Sequence, residues 1–167
     1  MSGKYDKYVS NPPHLRMQMK SDKSTIFDGL WVSPQLINYN FTFGHQIVRK
    51  PFKGDNPAHI HNFHEVLAWY GTNPEDPDDF GGEVVFYLGE ELEKHVFTKP
   101  TVLSLPPGFV HCPMEITRID RPIIQIEMMM APADGSQPTR EPFFDKDKDF
   151  RPDLVMDVTN FSLPKEN

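Results

Sequence analysis

Three histidines and one glutamate fall within the seven-residue segment HIHNFHE, from His59 to Glu65. In a β-strand, successive side chains point to opposite faces of the sheet. His59, His61 and Glu65 then share one face, and His64 faces the other side as a polar residue of the outer surface or of a subunit interface. Two imidazoles on one strand face can hold a single metal ion, and a modest twist brings the Glu65 carboxylate to it. The pattern predicts three metal ligands and excludes His64.

A second segment, LPPGFVH, lies further along the chain and ends at His111. Pro106 and Gly108 predict a turn that leads into another strand. Because a β-barrel places strands that are remote in sequence side by side, His111 is a candidate fourth ligand. Three neutral imidazoles and a carboxylate suit one divalent first-row metal such as iron, manganese, nickel or zinc, with positions left for water or substrate. The mixed nitrogen and oxygen set argues against calcium or magnesium.

Together, the two segments resemble the sequence motifs of the cupin superfamily. His59, His61 and Glu65 match the H-x-H-x3-E part of the first cupin motif, and the segment from Pro106 to His111 matches the P-x-G-x2-H part of the second. The resemblance covers roughly residues 40–131. It implies a cupin-type jelly-roll barrel in which the four residues bind one metal ion.

The composition independently favours an all-β fold. The chain of 167 residues is long enough for one well-cored domain, and its 17 prolines and 10 glycines separate short runs rich in β-branched and aromatic residues. About eight or more short antiparallel strands are predicted, the number that a jelly roll uses. We expect an N-terminal arm over residues 1–25, a barrel over 26–131 with ordered structure from near Ile26, and a C-terminal extension over 132–167 that packs on the barrel or on a partner subunit.

The charge of the chain excludes several classes of partner. A net charge of -7 and a pI of about 5.4 disfavour binding to nucleic acid or to anionic membranes. There is no apolar run long enough to cross a bilayer and no apolar core of a secretory signal, so a cytoplasmic protein is expected. The lone cysteine, Cys112, agrees with a reducing compartment. Strand alternation next to His111 turns Cys112 away from the predicted metal, as an ordinary buried thiol.

Other polar residues leave alternatives open. Gln125 and Glu127 share one face of the last predicted barrel strand, where they orient ligands or substrate if that face looks inward and are simply solvated if it looks outward. Glu83 follows two glycines and supplies either a carboxylate for acid/base chemistry or a charge at a loop edge. His45 is expected at the surface or the edge of the core, with the pocket as the alternative. The predicted catalytic residues are Glu65, Glu83 and Gln125.

The resemblance implies a metal-dependent enzyme that acts on a small organic substrate, with aromatic or carboxylated molecules among the candidates. The reaction is open among dioxygenase, isomerase, lyase and decarboxylase chemistry. The alternative is a non-catalytic cupin with a structural metal in a closed site. A regulatory ligand-binding domain ranks last, because such domains normally carry DNA-binding helices. A homodimer is expected, and two features fit it: the apolar outer face around Ile60 and Val66, and the terminal arms.

Overall fold

Thirteen β-strands and two very short helices make up the described part of the chain. The structure, a computed structural model, describes residues 4–53, 57–143 and 154–159, with the backbone alone for Pro142 and for 154–159. The helices are a 3-10 turn at Asp6–Tyr8 and α1 at Pro34–Ile37. Within these ranges, no helix is long and apolar enough to span a membrane. The predicted all-β class is confirmed.

One antiparallel sheet, called sheet A, has seven strands. In spatial order they are β13 (Leu154–Thr159), β1 (His14–Met19), β2 (Thr25–Val32), β3 (Thr42–Val48), β11 (Ile123–Met129), β6 (Glu65–Tyr70) and β9 (Thr101–Leu105). The buried residues of β3 are Gly44, Gln46 and Val48, which alternate along the strand as a half-buried sheet requires.

The other antiparallel sheet, called sheet B, has six strands. In spatial order they are β12 (Arg140–Pro142), β5 (His59–His61), β10 (His111–Ile119), β7 (Gly82–Leu88) and β8 (Glu93–Phe97), with β4 (Phe52–Lys53) also paired to β10. Buried side chains of the two sheets form one hydrophobic cluster. The ring centroids of Trp69 from sheet A and Phe86 from sheet B are 5.7 Å apart. The two sheets therefore form the predicted jelly roll.

The segment predicted as one strand from Ala58 to Trp69 is two strands in different sheets. β5 ends at His61 in sheet B and β6 begins at Glu65 in sheet A. The alternation nonetheless persists through the crossing, because His61, Phe63 and Glu65 are buried whereas His64 is half-buried. The facing of the predicted ligands is thus correct although the strand is interrupted.

Ordered structure begins earlier than the expected start near Ile26. In β1 the sequence HLRMQM alternates polar and apolar residues, and Leu15 and Met17 are buried, so this segment is a strand that pairs with β2. β13, from the C-terminal extension, pairs with the other edge of β1. Residues 144–153 and 160–167 of the extension lie outside the described residues, and the division into arm, barrel and extension stays a prediction.

Candidate metal centre

The two motif segments lie side by side in sheet B. In the ladder between β5 and β10, His59 pairs with His111. The turn before β10 contacts β5 directly, because the backbone N–H of Gly108 donates to the carbonyl of His61 at 2.7 Å. Gly108 has a φ of +78°, a conformation that glycine adopts without steric cost. The predicted P-x-G turn therefore delivers His111 to the HIH strand.

Four donor atoms converge where β5, β10 and the start of β6 meet. The Nε2 atoms of His59 and His61 are 3.2 Å apart. Glu65 Oε2, which comes from sheet A, is 3.1 Å from His111 Nε2 and 3.6 Å from His61 Nε2. The ligand atoms of the three histidines all lie within 4.8 Å of one another, and all four side chains are buried. The spatial convergence required by the sequence analysis is present.

Hydrogen bonds to the backbone fix the orientation of two of the imidazoles. The Nδ1–H of His59 donates to the carbonyl of Pro57 at 2.7 Å, and the Nδ1–H of His111 donates to the carbonyl of Phe109 at 2.9 Å. Because a carbonyl only accepts, Nδ1 carries a proton, and in the neutral imidazole Nε2 then keeps its lone pair. This backbone support is typical of metal-binding histidines, and it aims both Nε2 atoms at the centre.

A cation would satisfy atoms that the protein leaves without partners. Among the described residues, neither Glu65 Oε2 nor His111 Nε2 has a hydrogen-bond partner, although both are buried. With the His111 proton on Nδ1, two acceptors face each other at 3.1 Å, an arrangement that is unfavourable unless a positive charge lies between them. This orphaned pair shows that the site fits a metal ion.

The protonation states also suit metal binding. Burial lowers the pKa of His59 to about 3, and the nearby His111 adds to this effect while the Pro57 carbonyl opposes it. Burial likewise lowers the pKa of His61, with the Glu65 carboxylate acting in the opposite direction. Both imidazoles are therefore neutral at pH 7, the form that binds metals. Three imidazole nitrogens and one carboxylate suit a divalent transition metal.

The four donor groups form part of the wall of a cavity of about 390 Å³ between the sheets. Most of the remaining wall is apolar and comes from both sheets: Leu15, Met17, Phe27, Trp31, Phe52, Leu67, Phe86, Met114 and Met129. Its other polar residues are Gln46, Gln125, Glu127 and Arg140. An ion at the centre would thus be reachable from a space of the size that small-molecule sites have.

The polar face of β11 looks into this cavity, which answers the question that the sequence left open. Gln125 is buried between two polar neighbours: its Oε1 accepts from Trp69 Nε1 at 3.0 Å and its Nε2 donates to Gln46 Oε1 at 3.1 Å. Burial raises the pKa of Glu127 to about 8, with the charge of Glu65 adding to the shift and Arg140 acting against it. Glu127 therefore holds a proton at pH 7.

Other residues singled out from the sequence lie away from the centre. Glu83 is outside the cavity, since the inward positions of β7 are Val84 and Phe86, and its Oε1 accepts from the Thr117 hydroxyl at 2.6 Å. The structure therefore does not bring Glu83 to the predicted acid/base site. His64 contacts the Ser104 hydroxyl with its Nε2 at 2.8 Å, on the outer side of sheet A. Its exclusion from the ligand set agrees with this position.

Cys112 faces the cavity, contrary to the expectation from strand alternation. It lines the cavity wall and is buried like its neighbour His111. The β10 ladder is irregular between His111 and Met114, and Cys112 has a φ of +73°. Such a bulge breaks the alternation of side chains, so that two successive residues face the same side.

Two polar cavity residues, Gln46 and Arg140, were not predicted from the sequence. Gln46 faces inward and the neighbouring His45 does not line the cavity. The sequence feature that could have indicated Gln46 is the alternation of Gly44, Gln46 and Val48, which places Gln46 on the buried face of β3. Arg140 comes from the Pro-rich extension, where no periodic pattern indicates a strand.

No family model and no curated protein matches this sequence. The fold is similar to that of several solved structures. The polyketide cyclase RemF from Streptomyces resistomycificus has 10% identity over 75% of this chain and 77% of its own, with a TM-score of 0.49. A cupin-like protein from Thermotoga maritima has 12% identity over 83% of this chain and 87% of its own, with a TM-score of 0.44.

A chain from the crystal structures of the DMSP lyases RdDddP and RnDddQII has 13% identity over 68% of this chain, with a TM-score of 0.41. Our chain spans 51% of that lyase chain. At such identities the similarities concern the fold, and no reaction is carried over from these proteins.

The architecture and the candidate site agree with the resemblance found in the sequence. Two antiparallel sheets enclose a buried cluster of His59, His61 and His111, on the residues that match the H-x-H and P-x-G-x2-H motifs. The chain is a two-sheet jelly-roll protein with a candidate metal centre on the residues that resemble the cupin motifs.

Proposed function

We propose that this protein is a metal-dependent cupin enzyme that acts on a small organic substrate. One divalent transition metal would be held by the three histidines and Glu65. The observation that carries the proposal is that the four donor groups line a cavity of about 390 Å³. A purely structural metal needs a closed coordination shell, whereas a catalytic metal needs open positions next to a space for substrate.

The residues of the site have separable roles in this proposal. When bound, the metal would supply Lewis acidity toward a substrate oxygen or, in the case of iron, oxygen activation. Glu65 offsets part of the positive charge, and the bonds from Nδ1 to the backbone hold the rings of His59 and His111 in place. The apolar wall excludes water and favours a substrate with an apolar body.

Glu127 supports reactions that move a proton. Its carboxyl group lines the same cavity, and in the metal-free protein burial raises its pKa to about 8. An acid whose pKa lies near the working pH is suited to general acid/base catalysis. Among the candidate reaction classes, we therefore favour isomerisation and elimination.

The test compares this proposal with the rival, a non-catalytic cupin with a structural metal. The protein is loaded with Mn²⁺, and the relaxation rate of water protons is measured. An open site gives an enhanced rate from exchanging inner-sphere water, and this enhancement is lost in His111→Ala. A bound ion without exchanging water would support the rival. Incubation of the loaded protein with small oxo and hydroxy acids, followed by NMR, then seeks turnover that His111→Ala lacks.

A further inference from the structure

Three buried side chains linked by hydrogen bonds form a row across sheet A. Trp69, Gln125 and Gln46 occupy paired positions on the adjacent strands β6, β11 and β3. Hydrogen bonds of 3.0 Å and 3.1 Å connect them in that order. Gln46 is 4% exposed and lines the cavity. The row therefore ends at the cavity with the Gln46 side chain.

The direction of the hydrogen bonds in this row follows from Trp69. An indole N–H only donates, so the group of Gln125 that faces Trp69 is its carbonyl oxygen. The amide nitrogen of Gln125 then donates to the carbonyl oxygen of Gln46. The Nε2 of Gln46 is the remaining end, and no other described residue accepts a hydrogen bond from it. Gln46 consequently presents N–H donors to the cavity in an orientation that the interior fixes.

An apolar surface lies next to these donors. A Cβ atom on Gly44 would lie 2.9 Å from the Trp31 ring and 3.6 Å from Gln46 Nε2. Glycine at position 44 therefore lets the indole ring of Trp31 pack close to the Gln46 amide. This corner of the cavity offers an aromatic surface and an oriented N–H donor together.

We infer that Gln46 is a specificity-determining residue, whose side-chain N–H groups hold a carbonyl or carboxylate oxygen on the apolar body of the substrate. The inference rests on the proposed function in one respect, that the cavity receives a substrate. A buried donor that lacks a partner in the protein discriminates strongly, because a ligand without an acceptor leaves that donor unpaired.

The test uses probes that differ in one group. Acetophenone carries a carbonyl group and benzoate carries a carboxylate. Ethylbenzene has no hydrogen-bonding group, and benzylamine carries a hydrogen-bond donor. Binding to the metal-free and the zinc-loaded protein is measured by ligand-observed NMR. We expect acetophenone to bind about fivefold more tightly than ethylbenzene, and benzoate about tenfold or more, whereas benzylamine gains nothing. Comparison of acetophenone with benzoate distinguishes a carbonyl from a carboxylate preference.

Gln46→Met keeps the length of the side chain and removes its donors. It should abolish the preference for acetophenone over ethylbenzene, while Gln35→Met on the exposed helix α1 should keep it. The side-chain amide resonance of Gln46, assigned from its loss in the variant, should shift with acetophenone and not with ethylbenzene. An unchanged preference in Gln46→Met, or an amide resonance that does not move, would overturn the inference. If the variant does not fold, the wild-type amide resonance, assigned from backbone connectivities, decides alone.

The two proposals fail in different measurements. The binding measurements on the metal-free protein test Gln46 without any bound ion, whereas the Mn²⁺ relaxation experiment tests the metal centre without any probe molecule. Loss of the acetophenone preference together with an intact relaxation signal would remove only the role of Gln46.

Discussion

Replacement of Glu65 by glutamine should change stability and metal binding in opposite directions. In the metal-free protein, Glu65 Oε2 and His111 Nε2 are buried acceptors without partners, 3.1 Å apart. Glutamine is nearly isosteric and brings an NH₂ group that can donate to Nε2. The metal-free Glu65→Gln protein should therefore be more stable than the wild type, although the carboxylate that binds the metal is gone.

The magnitude follows from the cost of an unsatisfied buried group. Such a group costs roughly 1–3 kcal/mol, so Glu65→Gln should raise the free energy of unfolding by about that amount. For a chain of this size, this corresponds to an increase in Tm of roughly 3–10 °C. Loss of an outer-shell partner already weakens metal binding by about 10–100-fold, and loss of a direct ligand should weaken it by about 100-fold or more.

The assay is urea unfolding after chelator treatment, followed by titration with Zn²⁺ or Mn²⁺. Glu93→Gln is the matched control, because Glu93 Oε1 lies 3.4 Å from His95 Nε2 at the surface and such exposed pairs contribute little. Destabilisation of metal-free Glu65→Gln by more than about 1 kcal/mol would mean that Glu65 is paired with a protonated histidine. Metal affinity equal to that of the wild type would remove Glu65 from the ligand set.

Four further predictions concern single positions. His59→Ala and His111→Ala should abolish metal uptake measured by elemental analysis, whereas His64→Ala should leave it nearly unchanged. The pKa of His59 falls from 6.5 to about 3 on folding, so as the pH is lowered the unfolded chain binds this proton before the folded protein does. The free energy of unfolding of the metal-free protein should therefore drop by about 2 kcal/mol between pH 7 and pH 5 in urea unfolding, and His59→Ala should lack this drop. The pKa of Glu127 rises from 4.5 to about 8 on folding, so the free energy of unfolding of the metal-free wild type decreases as the pH rises through this range. At pH 7, urea unfolding should show metal-free Glu127→Gln to be more stable than the wild type by about 3 kcal/mol. The outer face expected for the homodimer, around Ile60 and Val66, is divided, because Ile60 lies in sheet B and Val66 in sheet A. If the homodimer uses the Val66 side, Val102→Lys on the neighbouring strand β9, at a position 54% exposed, should shift the mass in light scattering toward the monomer.

The candidate ligand set could be predicted from the sequence because it depends on local alternation and on one turn. Strand parity places His59, His61 and Glu65 on one side, and this holds even where the chain crosses from sheet B to sheet A. The turn at position 108 needs a positive φ, and the glycine at this position indicates such a turn in the sequence. The strand alternation and the glycine turn each depend on a few neighbouring residues, so they can be predicted without knowing how the strands pair.

The rest of the site depends on contacts that no local pattern encodes. The facing of Glu127 was ambiguous, because β11 has apolar residues on its other face and polar residues on the inner one. Cys112 faces the cavity because of a bulge that alternation cannot anticipate. Gln46 and Arg140 reach the cavity through pairing with β11 and β5, which are far from them in sequence.

An anomalous difference map from crystals of the protein, collected at the absorption edge of the bound metal, tests the central claim most directly. We predict one peak at roughly 2.0–2.3 Å from the Nε2 atoms of His59, His61 and His111 and from a carboxylate oxygen of Glu65. A peak elsewhere, or no peak after incubation with iron, manganese, nickel and zinc, would contradict the account.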